Sequence, residues 1–153
     1  MVIECRMVSQ YHCTMEIKVF SDGGSRGNPG VSGFGVQISS NEKVLIEYGD
    51  YIGIKTNNEA EYAGLISALS WIFENQALYS FSKATFIMDS QLLVRQMQGK
   101  YKVKAPHLKS LKLQADNLVS HINCPIVFTE VLREHNKRAD ELANLAMDTK
   151  ARV

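Results

Sequence analysis

The hydrophobic period of this chain changes once, and that change restricts its fold more than any other feature. Ahead of residue 56 the pattern is that of strands. Met15, Ile17 and Val19 alternate with Glu16, Lys18 and Phe20, and further strand-like runs cover residues 33–38 and 44–51. Gly27-Asn28-Pro29-Gly30 is turn chemistry between the first two runs, so the opening reads as an antiparallel meander. From Glu59 the spacing becomes helical, with Tyr62, Leu65, Ile66, Leu69 and Ile72 recurring on one face. A short apolar strand over 84–88 and a short helix over 90–98 follow. Pro106 then opens a helix carrying Leu108, Leu111, Leu113 and Leu118, ahead of a last strand over 126–131 and a last helix over 139–147. The predicted order is βββαβααβα. An antiparallel start followed by strands that alternate with helices implies an α/β fold, a mixed sheet flanked by helices.

Residues 1–14 carry no period and read as an N-terminal extension to a single domain over 15–150. A chain of 153 residues is long enough for one buried core. Its formal net charge of +1 makes it no polycation, so any affinity for nucleic acid has to come from a local patch. Cys5, Cys13 and Cys124 are odd in number and form no C-x-x-C pair, which argues against a disulfide framework or a zinc site and for a reducing compartment. No apolar run reaches membrane-spanning length and the first residues lack a signal-peptide pattern. The expectation is a cytoplasmic protein with no membrane partner, and a monomer.

Four carboxylates stand where an apolar strand stops or a helix starts, each in a distinctive string. They are Asp22 in V-F-S-D-G-G-S-R-G-N-P-G, Glu61 in T-N-N-E-A-E-Y-A-G-L, Asp89 in F-I-M-D-S-Q and Asp140 in R-E-H-N-K-R-A-D-E-L-A-N. Acids drawn together in a fold need a cation to neutralise them, and an all-oxygen donor set suits magnesium or manganese rather than zinc. Each acid also has a plainer reading. Asp22 before glycine is a common turn former, although the glycine-rich string is longer than a turn needs and frees the backbone to approach a ligand. Glu61 fits a capping box with Asn58, but Thr56 with Glu59 is the better-formed box, and Glu61 lies about 200° around the helix from Glu59. Asp89 is placed to cap the helix that follows it, and Asp140 stands in a first turn where the helix dipole favours any acid. The four together favour a shared site.

Those strings resemble the type 1 ribonuclease H family over residues 15–147, nearly all of the chain beyond its first residues. The resemblance implies a five-stranded mixed sheet flanked by helices. It also implies an endonuclease that hydrolyses the RNA strand of RNA–DNA hybrids with two divalent ions, Mg2+ or Mn2+, leaving 5′-phosphate and 3′-hydroxyl ends. Asp22, Glu61, Asp89 and Asp140 fall on the family's metal-binding catalytic acids. Two ions about 3.5–4 Å apart activate a water on one side and stabilise the leaving oxygen on the other. Asn57 and Gln91 match positions that read the RNA 2′-hydroxyl, with a carboxamide supplying both donor and acceptor. Glu61 and the backbone of Gly23 and Gly24 are expected to join them, Asn28 to help hold a nucleic-acid strand, and Thr56 to meet a DNA phosphate.

Two departures from the family pattern shape the expectation. The stretch 90–115 is too short for the basic handle of many bacterial members, yet Arg95, Lys100, Lys102, Lys104, Lys109 and Lys112 follow one another with no acid between Asp89 and Asp116. Such a run is either a solvated face or a phosphate track whose affinity falls with salt. The loop before the last acid is compressed to R-E-H-N-K-R-A-D, which resembles the short-loop, archaeal-like subgroup. His135 is the candidate there for helping product leave, with Arg133 as the other occupant of that space.

Overall fold

The computed structural model describes residues 14–153, so the N-terminal extension read at 1–14 lies outside the described residues apart from Thr14. Three long strands come first: β1 (Thr14–Arg26), β2 (Gly30–Ser40) and β3 (Lys43–Lys55). They are followed by α1 (Asn57–Asn75), β4 (Ser80–Met88), α2 (Gln91–Met97), α3 (Pro106–His121), β5 (Ile126–Glu130), a 3-10 turn (Arg133–His135) and α4 (Lys137–Thr149). The order is the predicted βββαβααβα. The five strands form one mixed sheet in the order β3-β2-β1-β4-β5, with β1, β2 and β3 antiparallel and β4 and β5 parallel to β1.

The first strand runs further than its sequence suggested. The glycine-rich segment after Asp22 is not a turn but a continuation of β1, paired with β2 from Asp22↔Gly35 to Arg26↔Val31. The turn is confined to Gly27, Asn28 and Pro29, with Gly27 at φ +98° and a cis Asn28–Pro29 bond. Glycine is a poor strand former in isolation, but pairing along a partner strand outweighs local propensity.

Directly paired residues share a face of a sheet and neighbours along a strand face opposite ways. Asp22 therefore shares a face with Gly35, while Gly23, paired with Phe34, looks to the other side. Gly23 lies beneath α1 and Gly35 beneath α4, so these two helices cover opposite faces. The main core forms on the α1 side. Ile17 and Val19 of β1, Phe34, Val36 and Ile38 of β2, and Phe86 and Met88 of β4 close on Tyr62, Leu65, Leu69 and Ile72 of α1. At roughly 1.5–3 kcal/mol for each large side chain, burial of this set accounts for most of what drives the sheet and α1 together. Beyond α4, Val153 exchanges two backbone hydrogen bonds with Gly49 of β3, at 2.9 and 3.2 Å, and Arg152 stacks on the Tyr48 ring with its guanidinium carbon 4.5 Å from the centroid. Among the described residues, no helix is long and apolar enough to cross a membrane.

Candidate active site

Three of the four acids meet at one point. Asp22 from β1, Glu61 from the first turns of α1 and Asp89 just past β4 each offer a carboxylate oxygen, and these oxygens lie within 4.8 Å of one another. The local chemistry of each element explains how the acids come to be free for this. Thr56 and Glu59 form the complete capping box at the start of α1, with Glu59 N–H donating to Thr56 Oγ1 at 3.2 Å and Thr56 N–H to Glu59 Oε1 at 3.0 Å. Glu61 is thereby released from capping and turned inward, only 8% exposed. Likewise Ser90 rather than Asp89 caps α2, accepting the Leu93 N–H at 3.3 Å.

Bringing the acids together without a cation is electrostatically costly, and their proton affinities record it. Burial lifts Asp22 from its ordinary 3.8 to about 8, aided by the Asp89 charge and by a hydrogen bond and charge from Asp140, against a restraining bond from Gly23 N–H. Burial followed by the charges of Asp22 and Asp89 pushes Glu61 well above the usual carboxylate range, with Gly23 N–H and Arg133 pulling the other way. A site that cannot hold its own negative charges in a dry setting fits a divalent ion. Three oxygen donors within reach of one another suit Mg2+ or Mn2+.

Asp140, in the first turn of α4, lies outside the tight trio but lines the same cleft, close enough to help raise the Asp22 pKa. The cleft that holds Asp22, Glu61 and Asp140 is also lined by Gly23, Gly24, Asn57 and Arg133. Asn57 Oδ1 sits over Gly24, where an added Cβ would be 4.0 Å away. Asn28 is drawn in by accepting the Asn57 backbone N–H on its Oδ1 at 3.0 Å, which ties the β1–β2 turn to the start of α1. Thr56 stands one residue earlier as the cap. Gln91 is exposed at the start of α2 and does not line this cleft.

The loop residues divide. Arg133, 86% exposed, pairs its Nε with Asp89 Oδ2 at 3.5 Å and lines the acidic cleft, whereas His135 lines a separate pocket with Phe20, Gln37 and Arg138. In the basic run, Lys112 is committed to Asp116 at 2.6 Å and Arg95 packs over Tyr101. Lys100, Lys102, Lys104 and Lys109 are exposed and form no ion pair among the described residues.

Asn136 is a site residue that the sequence did not reveal. It is 1% exposed, and its Nδ2 donates to the Ser21 carbonyl at 2.9 Å and to Asp89 Oδ1 at 3.2 Å, bracing β1 and the end of β4 from the start of α4. Its Oδ1 and the Ser21 hydroxyl are buried with no hydrogen-bond partner among the described residues. An Asn at a helix start reads as a cap, and nothing nearby in sequence points to a partner 47 residues away.

Comparison with known proteins agrees with this geometry. A family model described as reverse transcriptase-like matches residues 20–146. A bifunctional protein of Mycobacterium tuberculosis is 42% identical over 139 residues, covering 90% of this chain and 37% of its own, so the chain spans little more than a third of that relative's length. Ribonuclease HI of Halobacterium salinarum is 38% identical over 133 residues, 86% of this chain and 64% of its own. Among solved structures, LC11-RNase H1 in complex with an RNA/DNA hybrid superimposes with a TM-score of 0.83 at 42% identity, covering 88% of this chain and 98% of that one. LC11-RNase H1 was isolated from compost by a metagenomic approach.

Proposed function

Because the chain belongs to the ribonuclease H1-like family, we propose that it hydrolyses the RNA strand of RNA–DNA hybrids as an endonuclease dependent on two divalent ions, leaving 5′-phosphate and 3′-hydroxyl ends. The observation that carries this reading is the meeting of Asp22, Glu61 and Asp89 within 4.8 Å, with Asp140 alongside Asp22. All four acids would hold Mg2+ or Mn2+, with Asp22 and Asp89 anchoring the site, Glu61 holding one ion or orienting the water, and Asp140, beside Asp22, completing the second ion's site. Bound ions would supply a nucleophilic water at neutral pH and charge stabilisation at the leaving oxygen.

The chain's own groups do the rest. Gly23 N–H holds Asp22 Oδ1 at 3.0 Å, fixing the direction in which that carboxylate presents its other oxygen. Asn57 and the Gly23–Gly24 backbone face the cleft where a ribose would lie, and the carboxamide matches the donor and acceptor of a 2′-hydroxyl. Gln91, exposed at the start of α2, is assigned to the same strand from the other side, Asn28 to holding Asn57 in place, and Thr56 to a DNA phosphate. Arg133 takes the part of the mobile cation at the cleft mouth that the sequence offered to His135, since Arg133 reaches Asp89 and His135 faces elsewhere. That replacement, with the short 3-10 loop, supports the short-loop, archaeal-like subgroup. The exposed lysines at 100, 102, 104 and 109 are assigned as a phosphate track. The catalytic unit is taken as 15–150, acting as a cytoplasmic monomer.

The test is cleavage of a labelled RNA strand in an RNA–DNA duplex with Mg2+ or Mn2+, by the wild type and by Asp89→Asn. Cutting by the wild type alone, with duplex DNA left intact, supports the assignment. Tight hybrid binding without cutting by either protein would replace it with a binding module.

A further inference from the structure

Asp140 is the one acid whose place is not set by the trio, and its distance from Asp22 depends on how deeply α4 sits on the sheet. The helix backbone comes nearest the sheet at Gly35, beside Asp140, with Gly49 under the next turn at Leu142. Gly35 pairs with Asp22 across β1 and β2, so the two residues share a face directly beneath the start of α4. A Cβ at Gly35 would overlap the carbonyl oxygen of Ala139, the residue immediately before Asp140, and would lie 2.8 Å from Leu142 Cβ and 2.9 Å from Ala143 N. The Ala139 oxygen and the Ala143 nitrogen are backbone atoms, which cannot rotate away. Ala139 itself is fully buried, and the Asp140 N–H is held by the Asn136 carbonyl at 3.2 Å, so the acid moves with its helix.

From this geometry we infer that Gly35 is a positioning residue, whose missing side chain sets the Asp22–Asp140 separation and with it the affinity of the second ion. The inference rests on the two-ion reading above. Glu61 is carried by α1 on the opposite face and Asp89 by the end of β4, so lifting α4 displaces Asp140 directly and reaches the first ion's ligands only through the Asn136 brace on Asp89. Gly35 touches neither ion nor substrate and acts through α4 alone.

The experiment is a Mn2+ titration of the metal-free protein, with free Mn2+ counted by electron paramagnetic resonance, alongside the metal-free melting temperature. Wild type, Gly35→Ala and Ile72→Ala are compared, the last loosening the core at the far end of α1. The wild type is expected to take two ions. Gly35→Ala is expected to keep the first and to bind the second at least about tenfold more weakly, the scale of an outer-shell defect. Ile72→Ala is expected to bind both as the wild type does despite its lowered melting temperature. Should Gly35→Ala fail to fold, Gly33→Ala, whose Cβ would lie 3.0 Å from Met147 Cγ and 3.3 Å from the Ala143 carbonyl oxygen, pushes the same helix more gently and serves the same comparison. Unchanged second-ion binding in the glycine variant, or equal weakening in the Ile72 variant, overturns the role of Gly35. A wild type that takes a single ion overturns the two-ion reading itself, and this role with it.

Discussion

The two helices that carry acids to Asp22 begin in opposite ways. α1 opens on a complete capping box, Thr56 with Glu59, so its first turn is satisfied by its own neighbours and Glu61 rides on a self-sufficient start. α4 opens on Asn136, whose side chain makes no capping bond at all. Its amide goes instead to the Ser21 carbonyl and to Asp89, residues far away in sequence. An Asn in capping position is worth about 1 kcal/mol to a helix, so leaving that bond unmade is a real sacrifice of local stability. One side of the cleft is organised by short-range chemistry and would form with α1. The other is organised by tertiary contacts, and forms only once the sheet is in place.

The largest effect is expected from removing an acid at the point where the two sides meet. Asp22→Asn or Asp89→Asn should lower cleavage on the order of a thousandfold. The metal-free melting temperature should hold or rise, because repulsion among buried carboxylates is relieved. A variant that keeps full activity in the labelled-RNA assay would remove the metal site from the account. Next is the brace. Asn136→Ala should cost about 10–100-fold in activity, as outer-shell partners of metal ligands do. Asn136→Ser, which restores a capping hydroxyl, should regain melting temperature without regaining activity. Recovery of both by serine would mean that the residue is only a cap.

Protons sharpen the contrast further. Asp22 titrates near 8 in the folded chain against an ordinary 3.8, so between those values the native state holds a proton that the unfolded state has released. Stability of the metal-free protein should therefore be greatest below about pH 4 as far as this group is concerned, and should decline as pH rises through about 8. Mg2+ competes with that proton, so the rise in melting temperature on adding Mg2+ should grow with pH across the same window. A Mg2+ effect independent of pH, followed by calorimetry, would contradict it. The smallest effect belongs to the box. Thr56→Ala should lose about 1 kcal/mol of stability in a denaturant melt with activity changed only a few-fold. Asn57→Ala should do the reverse, weakening cleavage more than folding.

The order of elements was readable because each long segment keeps its own period. Tyr62, Leu65, Leu69 and Ile72 are helical in spacing and are all buried in the core as that spacing requires. Glu61 was readable for a similar reason, since its angle from Glu59 placed it against the sheet. What escaped reading was long-range. Gly23, Gly24 and Ser25 look like a turn in isolation, and only pairing with Phe34, Gly33 and Ser32 makes them strand. Asn136 resembles a cap until Ser21 and Asp89 are beside it, and Gly35 resembles any strand glycine until α4 rests on it. His135 and Arg133 are two residues apart in a polar loop. Only the 3-10 turn, which sends one toward Asp89 and the other toward Phe20, separates them.

The pairing of Val153 with Gly49 has a consequence for how the molecule behaves in company. β3 is the outermost strand of the sheet and 13 residues long, an extended row of backbone groups open to a neighbouring chain. Such edges are templates for unwanted sheet growth unless something interrupts them. The two hydrogen bonds at Gly49 occupy the middle of that row, and Arg152 lies over Tyr48 beside it. A foreign strand arriving there finds two short, separated stretches in place of one long ladder. Arg152 and Val153 thus break up the exposed edge at the flank of the molecule that the cleft does not use.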